Sequence, residues 1–348
     1  MNIVRFAWRK IYCFIETNKL RKEIITKYHM HNKGNKIVII GTPNHGNLGD
    51  VAIFLAEKKL LEEHKPECNV FDVNMAVFDK EIPILKKLLK PSDLLILTGG
   101  GNLGNQYMDD EIIRRKVISL FPHNRIVIFP QTMFFTNDLS GEIEKEITRQ
   151  IYNSHSHLVI AARDEYSFVE MKKIFSSKIM LVPDVVLTWS NTEKMKREGA
   201  LLVLRSDVES TLSIIQKEQL KQVLLRQFQK VEFTDTVVND LIGISNFETE
   251  LMKKLNQIQK AKLVVTDRLH GMIFAAITQT PCLVINNYNH KLRETYKWIQ
   301  HLEYIDFLPD INSTEEKVNE LMIKNSCYYD MINIKEIYKE FLKEIFNG

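Results

Sequence analysis

Cysteine is scarce and scattered: Cys13, Cys68, Cys282 and Cys327 share no metal-type spacing in 348 residues. That pattern excludes a disulfide framework and a cysteine zinc site, and it fits a reducing cytoplasm. Long apolar runs are missing too. No stretch reaches the roughly 18 residues that a membrane span needs. Arg9 and Lys10 interrupt the N-terminal apolar pattern and no small-residue cleavage site follows, so no signal peptide is expected. Charge of one sign is also lacking. Lys plus Arg is 47 and Asp plus Glu is 44, a net of +3 that does not point to nucleic acid. There is no Asp-x-Asp metal motif, no internal repeat and no low-complexity tract, and no metal or cofactor site is expected.

What is present is an ordinary globular balance, 45% hydrophobic and 26% charged. At roughly 100–200 residues per domain the length suggests two domains. The small net charge is unevenly placed. Residues 1–36 hold nine bases and two acids, a net of 9 − 2 = +7, so the remainder carries −4. Val4, Trp8, Ile11 and Ile15 recur at helical spacing with Arg5 and Arg9 on another face, so residues 3–27 read as a basic amphipathic helix. Such a helix either packs on the domain behind it or lies on an anionic membrane at the inner face, through residues 1–30.

From Lys36 onward short β-branched runs alternate with helical patterns. "KIVIIG", "CNVFDVN", "DLLILTGGG", "RIVIFPQT", "HLVIAARD" and "KIMLVPD" read as strands, with helices such as "DVAIFLAEKKLLEEH" between them. Continuous aliphatic strands indicate a parallel sheet covered on both faces. The polar "SNTEKMKREG" is the expected linker. A second, shorter round follows, in which "ALLVLRSD", the weak "VEFTDTV", "KLVVTD" and "PCLVINN" are the strands. The expected organisation is an N-terminal helix over 1–35, one Rossmann-like domain over 36–190, a second over 191–312 and a helical tail over 313–348. The fold class is α/β, two doubly wound domains facing a cleft.

In open α/β sheets ligands bind beyond the carboxyl ends of the strands. The loop "GTPNHGNLGD" (41–50) has a P-loop's four-residue glycine gap, but Asn47-Leu48 stands where that motif needs Lys-Ser/Thr. Its glycines, Gly49 among them, still permit close backbone approach. Asn44, His45, Asn47 and Asp50 add donors and acceptors; the alternative is a helix cap on a polar loop. In "TGGGNLGNQ" (98–106), Gly100, Gly101 and Asn102 suit either a ligand near the backbone or tight helix–sheet packing. Gln131, Arg163, Asp164, Ser167 and Asp184 each close a strand, as site residues or as caps. His155 and His157 alternate, but no further ligand is spaced to complete a metal site.

In the second half two strands run into arginine, at Arg205 in "LLVLRSD" and Arg268 in "VVTDRLHG". Two guanidiniums and the His270 imidazole suit a small, multiply charged anion, because Arg pairs bidentately with carboxylate or phosphate. Asp267 is a cap or an orienting acid, and a cap network at the helix start is the alternative for Arg268 and His270.

The ordered set N-x-G-D, "GGGNLG", R-D-x-x-S, P-D, strand-ending "LR" and D-R-L-H-G, followed by Pro281 and Lys291, resembles the polysaccharide pyruvyl transferase family over roughly residues 36–295. The resemblance implies a glycosyltransferase-B-like fold, phosphoenolpyruvate as co-substrate and a saccharide acceptor, lipid-linked or free, of a cell-surface or exopolysaccharide. The product it implies is a pyruvate ketal. It makes Arg205 and Arg268 clamps for the donor's phosphate and carboxylate, with His270 and Gly271 beside them and His270 the acid. Asn44, Asn47, Gly49 and Asp50 then face the acceptor, and Asp50 is a candidate to accept the hydroxyl proton. A free imidazole titrates near about 6.5, where a proton donor works well. Two rivals stay open: a nucleotide-sugar-dependent glycosyltransferase of the same architecture, and a non-catalytic partner in glycan assembly.

Overall fold

The computed structural model describes residues 22–28, 34–191, 193, 195–207, 210, 212–238, 246–285, 291–324 and 327–347. Most of the expected N-terminal helix, with its membrane contact, lies outside these residues. Residues 22–28 are helical and pack inward. Ile24 and Tyr28 are buried, and the Tyr28 hydroxyl donates to Glu81 Oε2 at 3.0 Å.

The first half builds a parallel sheet from β1 (Lys36–Thr42), β2 (Asn69–Asn74), β3 (Leu94–Leu97), β4 (Gly100–Gly104), β5 (Arg125–Phe134), β6 (Leu158–Ala162) and β7 (Lys178–Leu181). Its order is β2-β1-β3-β5-β6-β7. The long β5 pairs first with β3 and then, further along, with β4. The expected single strand "DLLILTGGG" is therefore two, broken at Thr98-Gly99, and the second runs on to Gly104. The second half builds a parallel five-stranded sheet, β12-β11-β10-β8-β9, from β8 (Ala200–Val203), β9 (Val231–Thr234), β10 (Leu263–Thr266), β11 (Cys282–Ile285) and β12 (Ile305–Leu308).

The aliphatic runs form strands because both faces of each sheet are covered. Alternation sorts them: Ile37 and Ile39 point into one cluster, Val38 and Ile40 into another. The edge strand β9 was the weakest in sequence because Glu232 and Phe233 lie exposed. Helix α1 (Leu48–His64) follows β1 and is buried on several sides in its first turns. It lies between the halves, with Phe54 edge-on to Phe247 at 6.5 Å.

The 313–348 stretch, expected as one tail, divides. Val318 and Leu321 pack under the second sheet. The last helix (Ile332–Asn347) returns to the first half, where the Tyr338 hydroxyl donates to Pro183 O at 2.7 Å and Phe341 meets Phe129.

Candidate active site

The carboxyl ends of the two sheets face a cleft of about 750 Å³. Asn44, His45, Asn47, Asp50, Gly101, Asn102, Arg163, Arg205, Arg268 and His270 all line it, together with Lys291. Residues as far apart in sequence as Asn44 and Lys291 thus share one surface. Backbone bonds stitch its walls: Leu48 N donates to Thr236 O and Val238 N to Gly46 O, both at 2.9 Å.

The loop 43–47 ends in an N-cap. Asn47 Oδ1 accepts from Gly49 N at 3.0 Å, and Asn47 Nδ2 donates to Asp50 Oδ2 at 2.7 Å. The cap reading of this side chain therefore holds while the residue still borders the cleft. Gly49 is explained by close approach: a Cβ there would lie 2.2 Å from His270 Nδ1. The imidazole rests directly on the start of α1.

At β4, Lys291 Nζ donates to Gly101 O at 3.1 Å, reaching across from the second half. A Cβ on Gly101 would lie 2.9 Å from Arg163 Nη2 and 3.6 Å from Lys291 Nζ. Two cations therefore converge on this glycine. Arg163 is buried, with Nη1 donating to Asp184 Oδ2 at 3.0 Å and Nη2 to Thr132 Oγ1 at 3.0 Å. The same Asp184 oxygen lies 3.5 Å from His270 Nε2, which is buried and makes no hydrogen bond. Burial pushes the Asp184 carboxyl up. The imidazole, the Arg163 charge and the Val186 N–H outweigh it and hold the group down at about 2.

Neither Arg205 nor Arg268 stands open. Arg268 grips Asp235 bidentately, both bonds at 2.7 Å, and its Nη1 lies 2.8 Å from Asp207 Oδ2. Arg205 donates to the same Asp207 through Nε at 2.9 Å and Nη2 at 3.2 Å. An arriving anion meets a neutralised lattice there. Asp267 is no helix cap, and the helix starting at Leu269 has no side-chain cap. Its Oδ1 accepts from Arg205 N at 2.8 Å, while its buried Oδ2 makes no hydrogen bond.

Three residues expected at the site stand behind it. Gln131 is fully buried, taking Asn102 N on Oε1 and giving Nε2 to Thr98 O, so it braces the glycine strand rather than facing a ligand. Gly100 (φ 142) shapes the same strand. Gly271 leaves room for Thr266 Oγ1, which would lie 2.2 Å from a Cβ, so it serves packing rather than donor contact. Asp164 caps its helix through Ser167 N, and His155 Nε2 sits 3.1 Å from Phe121 O, a structural position.

The sequence reading missed Asp109 and Asp110, which line the cleft near Asp50. Burial pushes the Asp110 carboxyl up, and Asp50 adds to the effect. Their place in the first turn of the helix after β4 was the signal available.

Two parallel α/β sheets with a ligand cleft between them define the glycosyltransferase-B type of fold, shared by glycosyltransferases and sugar-nucleotide epimerases. The UDP-GlcNAc 2-epimerase of Methanocaldococcus jannaschii superposes with a TM-score of 0.54 at 13% identity, covering 90% of this chain and 100% of that one. The polysaccharide pyruvyl transferase family model matches residues 47–290, and the chain belongs to that family. General stress protein 30 of Bacillus subtilis (strain 168) is 36% identical over 289 residues, 82% of this chain and 84% of its own length. Pyruvyl transferase 1 of Schizosaccharomyces pombe is 24% identical over 295 residues, 78% of this chain and 71% of its own.

Proposed function

We propose that the protein transfers the pyruvyl group of phosphoenolpyruvate to a saccharide and closes a ketal across two hydroxyls. The observation that carries this reading is the convergence of Arg163 and Lys291 on Gly101, beside His270. Phosphoenolpyruvate bears a phosphate and a carboxylate one carbon apart, and two adjacent cations match that spacing of charge. The donor's first contacts are assigned to Arg163 and Lys291, which converge beside His270; Arg163 also holds Asp184, while Arg205 and Arg268 shape the wall and take the donor only if Asp207 and Asp235 give way.

His270 donates a proton to the methylene carbon, and the neighbouring carbon becomes electrophilic. An acceptor hydroxyl adds there, phosphate departs with the bonding pair, and a second hydroxyl replaces it. Of the two hydroxyl protons, one makes good the proton given to carbon and the other leaves on phosphate. Asp110 and Asp50 line the cleft and are assigned to the acceptor side, where the Asp110 carboxyl, raised by burial, suits the uptake of a hydroxyl proton. The cations stabilise charge as phosphate departs. The expected acceptor is a sugar of a cell-surface polysaccharide or its precursor.

The test is phosphate release from phosphoenolpyruvate with and without a panel of methyl glycosides. Acceptor-dependent release is expected, and His270→Ala should lower its rate by about 10²–10⁴-fold with the melting temperature retained. Nucleotide sugars that stabilise the fold where phosphoenolpyruvate does not would replace this reading with sugar transfer.

A further inference from the structure

We propose that Asp184 is the positioning residue for His270: a buried carboxylate from the first half of the chain that orients the imidazole of the second half and ties it to Arg163. The proposal rests on His270 acting as the proton donor. Asp184 is 1% exposed and its two oxygens are divided. Oδ1 accepts from Val186 N at 3.0 Å and fixes the carboxylate at the start of a short 3-10 turn. Oδ2 faces Arg163 Nη1 at 3.0 Å and His270 Nε2 at 3.5 Å. No other described group gives His270 Nε2 a partner.

This assignment divides the ring's two nitrogens. Nε2 belongs to Asp184, so Nδ1 is the atom that can hand a proton to substrate. Gly49 leaves the space beside Nδ1 clear of a side chain. The Asp184 charge also acts on Tyr329, Tyr338 and Glu57, whose hydroxyls and carboxyl bond to Leu187 O, Pro183 O and Gly99 N. Burial pushes the Glu57 carboxyl well above the usual carboxylate range. Asp184 is thus the charge that favours imidazolium, against Arg163, which opposes it.

The test is a proton-NMR titration of the imidazoles in the full chain, with the His270 signal identified by its loss in His270→Gln. Asp184→Asn keeps an oxygen for Val186 N. Its His270 midpoint should lie below that of the unaltered protein. The alkaline limb of kcat for phosphate release should move the same way. Asp184→Glu should keep the midpoint of the unaltered protein while lowering kcat, and it serves if the Asn variant unfolds. An unchanged midpoint in folded Asp184→Asn overturns the proposal. The titration needs no substrate, so it stands even if phosphoenolpyruvate proves not to be the donor.

Discussion

At the residue scale, glycine is a functional choice where it meets His270. Gly49→Ala would put a methyl 2.2 Å from Nδ1, and the neighbour is a ring packed on a helix start rather than a mobile chain end. Overpacking of this kind costs about 1–3 kcal/mol. Phosphate release should fall at least about tenfold, because a misplacement of about 1 Å can cost a hundredfold. Activity within twofold of the unaltered protein would show that the ring yields freely.

Glu57 is a second residue with a measurable signature. It is fully buried, and Oε1 accepts from Gly99 N at 2.7 Å while Oε2 makes no hydrogen bond. Its folded pKa lies above the unfolded one, so its contribution to stability is fully present below about 4.5 and is lost as pH rises. Glu57→Gln keeps the bond to Gly99 without the titration. Relative to the unaltered protein it should gain stability as pH rises above about 4.5, by at most about 1.4 kcal/mol per pH unit. Urea midpoints of the two proteins that run parallel over that range would contradict this.

At the element scale, the strands were legible wherever both faces are buried, because aliphatic runs such as "KIVII" allow little else. Elements with mixed environments were not. β4 was not separated from β3, because "DLLILTGGG" reads as one strand; pairing with the far end of β5 makes Gly100–Gly104 a strand of its own. The amphipathic helix Leu139–Asn153, although capped by Asp138, and the strand Ile305–Leu308 went unread. The site divides on similar lines. Residues on strand-end loops could be listed because topology places every such loop at one edge. Their partners could not. Asp235 meets Arg268 across 33 residues, and Asp184 meets His270 across 86, and no local pattern announces either pair.

At the scale of the whole molecule, the two halves are not independent. One apolar cluster takes Ile39, Val127 and Phe129 from the first sheet, Val203, Val264 and Val284 from the second, and Tyr338 and Phe341 from the last helix. Trp298 of the second half donates from Nε1 to Arg163 O at 2.9 Å, so its indole reports on the cleft wall. A shared core couples the unfolding of both halves. With Trp8 and Trp189 replaced by Phe, Trp298 fluorescence and far-UV circular dichroism should therefore melt in one coincident transition. Phe341→Ala removes a fully buried ring that meets Phe129 edge-on at 5.3 Å, and it should cost about 3–5 kcal/mol. Because that ring sits against the first sheet while its cluster includes the second, both signals should shift down together. If the fluorescence transition stays put while the dichroism transition falls, the halves unfold separately and the common core does not bind them.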